Sequence, residues 1–281
     1  MAGTLTMLES SLTLILFSIA FLLLFLGAYQ DWKTREIVDW IWIAMISSGC
    51  ILHILQIILL LMNNLDIQSY LFKWLYNIFI ALILAAFLTF SGLGGEADRI
   101  AFIAISFVSP VQQPLFSITD PKYDIIFSIT PKILGTFFNA YLLAITVPIA
   151  LLCYNLIRRN TIREFYTISN QSFRVKIVLY FIGYPRSTQR ISEEIDKKPW
   201  HFDFLETYDD VAGWKYIFQM RLETPEADLS RKKEIAKKTQ IHNKESIWIQ
   251  PSLPFIVFLL LGFLLEILLG NVIFVLTAYF A

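Results

Sequence analysis

Apolar residues run along this chain in long blocks, separated by short polar connections. Residues 12–29, 40–62, 71–90 and 133–157 are near the length of about 20 residues that carries a helix across a bilayer. Trp40 and Trp42 open the second block as interfacial aromatics. Residues 100–108 begin another span that Pro110 and Pro114 interrupt. A helix is predicted to end there and give way to an irregular interfacial loop with room for a short helix. The last block, residues 251–281, is predicted as one further span. Only residues 158–250 form a long polar segment.

The composition agrees: 56% of the 281 residues are hydrophobic, and the mean hydropathy is +0.60. The pattern predicts an all-α membrane protein with six transmembrane helices. Residues 1–157 make a membrane domain of five spans, 158–250 a small cytoplasmic domain, and 251–281 the sixth span. The formal net charge is zero, but the basic residues are unevenly placed. With the N-terminus outside, Lys33, Arg35 and Arg99 fall on inner loops, and 17 of the 23 Lys and Arg fall within 158–250. Only Lys73, Lys122 and Lys132 fall on or near the outer side, so the charge bias favours this orientation. Residues 1–10 carry no Lys or Arg, which argues against a secretory signal peptide. The expected setting is a multi-pass protein of the cell membrane, with the lipid bilayer as a partner and no nucleic acid.

Trp200, Phe202, Phe204, Tyr208, Trp214, Tyr216 and Phe218 supply enough apolar surface for a small packed domain within 158–250. Residues 175–182 read as a strand or a buried helix. Residues 222–243 are charge-rich and read as a solvated helix or a mobile arm. Cys50 and Cys153 lie far apart in apolar runs and read as small hydrophobes. The scattered His53, His201 and His242 offer no metal-ligand spacing, so neither a metal nor a cofactor is expected.

The candidate chemistry sits in Ser91–Ile100, which reads Ser-Gly-Leu-Gly-Gly-Glu-Ala-Asp-Arg-Ile. An aspartate at a helix centre in a bilayer costs roughly 2.5–3.5 kcal/mol, so an acid kept near apolar helices calls for a use. Gly94 and Gly95 before Asp98 read as a carboxylate beside an open backbone slot, where glycine permits φ > 0 and close approach. The plain alternative is a glycine turn with acids at a helix N-terminus. On the predicted topology Asp31, Glu36 and Asp39 lie at the cytoplasmic end of spans one and two. Glu96 and Asp98 lie at the cytoplasmic start of span four. Two carboxylates that share a proton and a water are what an aspartic peptidase requires.

Asp31-Trp-Lys-Thr-Arg-Glu-Ile closing the first span, together with Gly95-Glu-Ala-Asp98, resembles the GxGD aspartyl peptidases. More narrowly it resembles the type IV prepilin peptidases and their archaeal relatives, the preflagellin peptidases. Gly95, Ala97 and Asp98 match the second catalytic motif; Asp31 with Lys33 and Arg35 matches the first. The lead Trp248-x-x-Pro251 into a last hydrophobic span resembles the archaeal branch. The resemblance covers most of the membrane part and is weakest over 158–250. Two departures stand out: Ile37-Val38-Asp39 replaces the Ile-Pro-Asn or Ile-Pro-His common after the arginine, and Arg99 directly follows Asp98.

The resemblance implies that Asp31 and Asp98 are catalytic, with Gly94, Gly95 and Ala97 as backbone support. Glu96 and Glu36 become candidates for binding a basic substrate residue. It implies an archaellin (preflagellin) or pilin precursor as substrate, cut after a short basic leader at the cytoplasmic face. The first connection is short and lacks cysteine, which implies a peptidase without methyltransferase activity. Two other readings share some features. A presenilin-like or signal-peptide-peptidase-like enzyme would hold its acids deeper in apolar helix. A non-enzymatic transporter would show an inverted repeat and a second broken helix. Glu266, inside the last block, is expected to bond within the bundle or lie near the interface.

Overall fold

The computed structural model describes residues 2–91, 95–109, 130–158, 172–211, 213–217, 225–273 and 276. The expected loop after Pro110 falls mostly outside them. The described chain is predominantly helical and divides into two units, residues 1–144 with 254–281, and residues 145–253.

The first unit contains α1 (Ala2–Thr34), α2 (Trp40–Met62), α3 (Ile67–Ser91), α4 (Glu96–Val108), α5 (Lys132–Ala144) and α10 (Phe255–Leu269). Its core gathers Leu24, Ile41, Met45, Leu88, Phe102, Ile105, Ile133, Leu259 and Phe263 from all six helices. Helix α1 stops where Arg35 takes a left-handed φ of 62°. The following turn is tied back by Gln30, whose Oε1 accepts the Val38 amide at 3.1 Å. Helix α4 ends at Val108, with Ser109 as its cap, directly before Pro110. Asn77 of α3 satisfies a buried junction: its Nδ2 donates to the Ser106 carbonyl at 3.1 Å, and its Oδ1 accepts the Ile133 amide at 2.9 Å. One amide thereby fixes α3, α4 and the start of α5, as a polar group in an apolar bundle must be paired.

Among the described residues, four helical segments are long and apolar enough to cross a membrane: Ser11–Thr34, Trp40–Met62, Ile67–Ser91 and Lys132–Ile157. Helix α4 has 13 residues and α10 has 15. At 1.5 Å per residue each is about 20 Å long, short of a roughly 30 Å hydrocarbon core. Within the last apolar block the described helix is not continuous. Pro251 ends a strand, the helix begins only at Phe255, and Gly270 breaks it with φ 81°.

The close packing of α5 on α10 depends on small residues. A Cβ at Gly135 would collide with Glu266 Oε2, and one at Gly262 would lie 2.6 Å from the Ala140 nitrogen. The space left at Gly135 holds Glu266, which is 4% exposed and pairs with Lys132 at 3.7 Å. Glu266 thus bonds within the bundle.

The second unit contains α6 (Thr146–Ile157), α7 (Phe173–Ile182), β1 (Tyr184–Ser187), α8 (Thr188–Glu194), a 3-10 turn (Pro199–His201), β2 (Phe202–Phe204), β3 (Glu206–Asp209), β4 (Gly213–Tyr216), α9 (Pro225–Ile241) and β5 (Ser246–Pro251). Strands β1, β5 and β2 form an antiparallel sheet in that order, and β3 pairs with β4 as a hairpin. The all-α expectation therefore holds for the first unit only. Residues 175–182, left open between strand and helix, lie in helix α7. The charge-rich stretch is helix α9, docked through Ile235 and Ala236 on Phe202, Phe204, Ile247 and Ile249. Its Lys232 is 2% exposed and reaches Asp203 at 2.8 Å, Asp228 at 2.9 Å and the Pro199 carbonyl at 3.0 Å.

Candidate active site

Asp31 lies in the last turn of α1 and is 9% exposed. One oxygen, Oδ2, accepts the Ile256 backbone amide at 3.0 Å. Ile256 is the second residue of α10, where helical N–H groups have no partner within the helix. Asp31 therefore caps a helix that begins 224 residues later. Its other oxygen, Oδ1, is 3.7 Å from Arg35 Nη1, one helical turn on.

Asp98 is the third residue of α4 and is half-buried. Its Oδ2 accepts the Gly95 amide at 2.8 Å, which is one half of a capping box. Gly95 itself has φ −68° and ψ 168°, extended backbone open to any residue. The expected need for positive φ is not met there. An added Cβ would make ordinary contact, 3.4 Å from Asp98 Oδ2. Gly94 lies outside the described residues. Ala97 is half-buried in the first turn of α4. Arg99 is also within electrostatic reach of Asp98, and its hydrogen bonds go to neighbours: its Nη1 donates to Thr89 Oγ1 at 3.1 Å and its Nε to the Gly95 carbonyl at 3.3 Å.

Helices α1 and α4 pack against each other. Asp31 and Asp98 lie within electrostatic reach of each other, although 67 positions separate them in the chain. Tyr141, in the last turn of α5, also lies within reach of Asp98. Its ring packs 5.0 Å from Phe255 and 4.5 Å from Phe137. The ends of α1, α4, α5 and α10 thus converge on one place. Glu36 is exposed in the turn after α1, with its backbone amide and carbonyl on Thr34 Oγ1. Glu96 is the exposed first residue of α4. Neither makes a described contact with either aspartate. Among the described residues, no group of three His, Cys, Asp or Glu is placed to hold a metal ion.

The sequence pattern pointed to Asp31 and Asp98 but missed the Ile256 amide and Tyr141. The prolines at 251 and 254 signal that a helix starts nearby, yet nothing local says which acid would meet it.

The apolar helices mark a membrane protein, with Asp31 and Asp98 at helix ends of its first unit. The family described as Archaeal Peptidase A24 C-terminus Type II matches residues 175–272. That match falls largely on the polar segment, where the motif resemblance was weakest. The preflagellin peptidase of Methanococcus maripaludis is 24% identical over 258 residues, covering 88% of this chain and 92% of its own. The preflagellin peptidase of Methanocaldococcus jannaschii is 23% identical over 256 residues, covering 88% and 91%. An uncharacterized protein of the same organism is 25% identical over 255 residues, covering 86% and 87%. The chain is thus similar to these preflagellin peptidases over most of its length, and to the peptidase family model over residues 175–272.

Proposed function

We propose that this chain is a membrane aspartyl endopeptidase that removes a short basic leader from preflagellin or type IV pilin-like precursors at the cytoplasmic membrane face. The observation that supports this reading is that the Asp31 charge acts on Asp98, although the two come from helices far apart in sequence. In the proposed site the two carboxylates draw close enough that both do not ionise readily, and one proton is shared between them. The ionised member takes a proton from a water, and that water attacks the scissile carbonyl. The protonated member gives its proton to the departing amine, and the pair returns to its starting state.

Position favours cleavage at the membrane face. Asp31 is in the last turn of α1 and Asp98 in the first turn of α4, each bordering charged residues rather than mid-helix apolar ones. Glu36 and Glu96 are exposed beside those turns and are the proposed contacts for the basic leader.

The test is processing. Membranes containing the full chain are incubated with a preflagellin precursor, and the product is followed by its loss of mass. Leader-sized shortening is expected with the wild-type chain and not with Asp31→Asn or Asp98→Asn. Shortening at the wild-type rate by either variant would reject the two-carboxylate mechanism.

A further inference from the structure

Attack of water on a peptide carbonyl puts negative charge on the carbonyl oxygen, and a hydrogen-bond donor aimed at that oxygen lowers the barrier. In the first unit, the two backbone amides described at the aspartates are already engaged. The Ile256 amide donates to Asp31 Oδ2 at 3.0 Å, and the Gly95 amide donates to Asp98 Oδ2 at 2.8 Å. An ionised carboxylate only accepts, so it offers the oxygen nothing. The proton shared by the pair is the one that goes to the departing amine. The proposed reaction therefore calls for one more donor, and a neutral one would not compete with the carboxylates for charge.

Tyr141 carries such a donor. Ring packing fixes its side chain against the helices that hold both acids. Its ring is 4.5 Å from Phe137, one turn earlier on α5, and 5.0 Å from Phe255. Phe255 opens α10 and precedes Ile256, the residue whose amide Asp31 accepts. Phe102 completes the cluster, 5.5 Å from Phe137 and 6.2 Å from Phe255. It is fully buried and lies one turn after Asp98 on the same face of α4. The phenol group is also within electrostatic reach of the Asp98 carboxylate. Packing asks only for the ring, which phenylalanine would supply; the hydroxyl calls for a separate account. Tyr141 is half-buried, and among the described residues no hydrogen bond occupies its hydroxyl. A tyrosine hydroxyl in such a place usually finds a partner. Near Asp98 without bonding to it, the O–H leaves space for a substrate group between the two.

We propose that the Tyr141 hydroxyl donates a hydrogen bond to the carbonyl oxygen of the scissile peptide. The assignment rests on the two-carboxylate reading and adds a donor to it. As the water oxygen bonds to the carbonyl carbon, the carbonyl π pair moves onto oxygen, where the Tyr141 O–H meets it. The phenol keeps its own proton, because tyrosine titrates far above neutral pH. When the C–N bond breaks, the pair on oxygen re-forms the carbonyl. The electrons of the C–N bond leave with the amine, which takes its proton from the protonated carboxyl. The aromatic cluster sets the donor in place beforehand, so the site needs little rearrangement as charge develops.

Tyr141→Phe keeps the ring and removes the hydroxyl, so it tests the donor and spares the packing. In the processing assay on membranes containing the full chain, kcat should fall on the order of a hundredfold, with KM changed by no more than about twofold. A second measurement reads the donor without turnover. A peptide spanning the leader junction, with a difluoroketone in place of the scissile amide, hydrates to a diol that resembles the tetrahedral intermediate. Inhibition by this peptide should weaken in Tyr141→Phe by about the factor lost from kcat, because such analogues bind through the contacts of the transition state. A wild-type kcat in Tyr141→Phe overturns the proposal, as does a loss carried by KM alone. A fall in kcat with inhibition by the diol peptide unchanged overturns it too, since the hydroxyl then acts elsewhere than on the carbonyl oxygen. A wild-type rate in Tyr141→Phe leaves the two carboxylates in place. Failure of that underlying reading shows separately, as an inactive wild-type chain or as cleavage by Asp31→Asn, and removes both.

Discussion

Asp31 Oδ2 accepts the backbone amide of Ile256, so one acid of the proposed catalytic pair also holds the N-terminus of α10. Asp98 does the same for its own helix through the Gly95 amide. Each aspartate can be explained as a cap, and the capping explanation needs no catalysis. Substitutions that keep the cap and remove the proton separate the two roles.

Asparagine at position 31 keeps an oxygen that accepts the Ile256 amide, whereas alanine removes it. Asp31→Ala is predicted to lose about 1 kcal/mol relative to Asp31→Asn, the usual value of an N-cap. Thermal unfolding of the purified full chain in detergent measures the difference. Equal melting of the two variants would show that the Asp31–Ile256 bond contributes nothing to stability.

Much of the first unit was legible because its local pattern agrees with its packing. The block 40–62 coincides with α2, and α4 stops before Pro110 as its prolines required. What escaped was long-range or conformational. The Ile256 amide reaches Asp31 from 225 positions away, and no local signal encodes that. Residues 246–251 carry no local signal that marks a strand, yet their Ile247 and Ile249 belong to a sheet core. Gly95 shows the opposite error: a glycine in a suggestive motif adopts a backbone that any residue could take.

The amide of Gly95, rather than its small size, is what orients Asp98. Gly95→Ala is predicted to retain most activity, because its Cβ has ordinary space and φ is unstrained. Gly95→Pro fits the same φ of −68° but deletes the N–H that Asp98 accepts. It should lower the cleavage rate by on the order of a hundredfold, since small displacements of a catalytic group are costly. Comparing both variants in the processing assay checks this; equal loss in both would point to steric demand instead.

Lys132 and Glu266 form a buried pair remote from the aspartates in α10, since Glu266 is near the C-terminal end of that helix and Ile256 near its start. Glu266→Gln should destabilise the chain by roughly 3–5 kcal/mol, because it leaves the Lys132 charge unpaired. Gly135→Ala should cost about 1–3 kcal/mol by overpacking the same place. Replacing both partners, Lys132→Met with Glu266→Leu, should recover most of the stability and leave cleavage near normal. Detergent unfolding read beside the processing assay tests all three; a double variant as unstable as Glu266→Gln would contradict the pairing argument.

The topology gives a labelling prediction. With the N-terminus outside, Leu65 in the turn after α2 is reached from outside and Glu193 on α8 from inside. Both are exposed in the structure. In a chain lacking Cys50 and Cys153, a membrane-impermeant thiol reagent should label Leu65→Cys on intact cells and Glu193→Cys only after lysis. Labelling of both from one side would contradict the orientation.

The two-carboxylate reading makes a stricter demand than loss of activity in single variants. If Asp31 and Asp98 act as a unit, the chemistry is lost when either proton site is lost. Asp31→Asn and Asp98→Asn should each reduce cleavage to near background, and the double variant should be little worse than either. Two independent contributions would instead multiply. Asparagine preserves both caps, and because Asp31→Asn also removes the charge beside Arg35, cleavage is compared at equal levels of inserted, folded protein. Nearby acids serve as controls: Glu36→Gln, Asp39→Asn and Glu96→Gln change exposed side chains and should keep measurable cleavage. Weaker affinity for a basic leader in Glu36→Gln or Glu96→Gln, with the cleavage step intact, would place that residue in substrate binding. A double variant far worse than both singles, at equal protein level, would mean that Asp31 and Asp98 do not share one proton-transfer site.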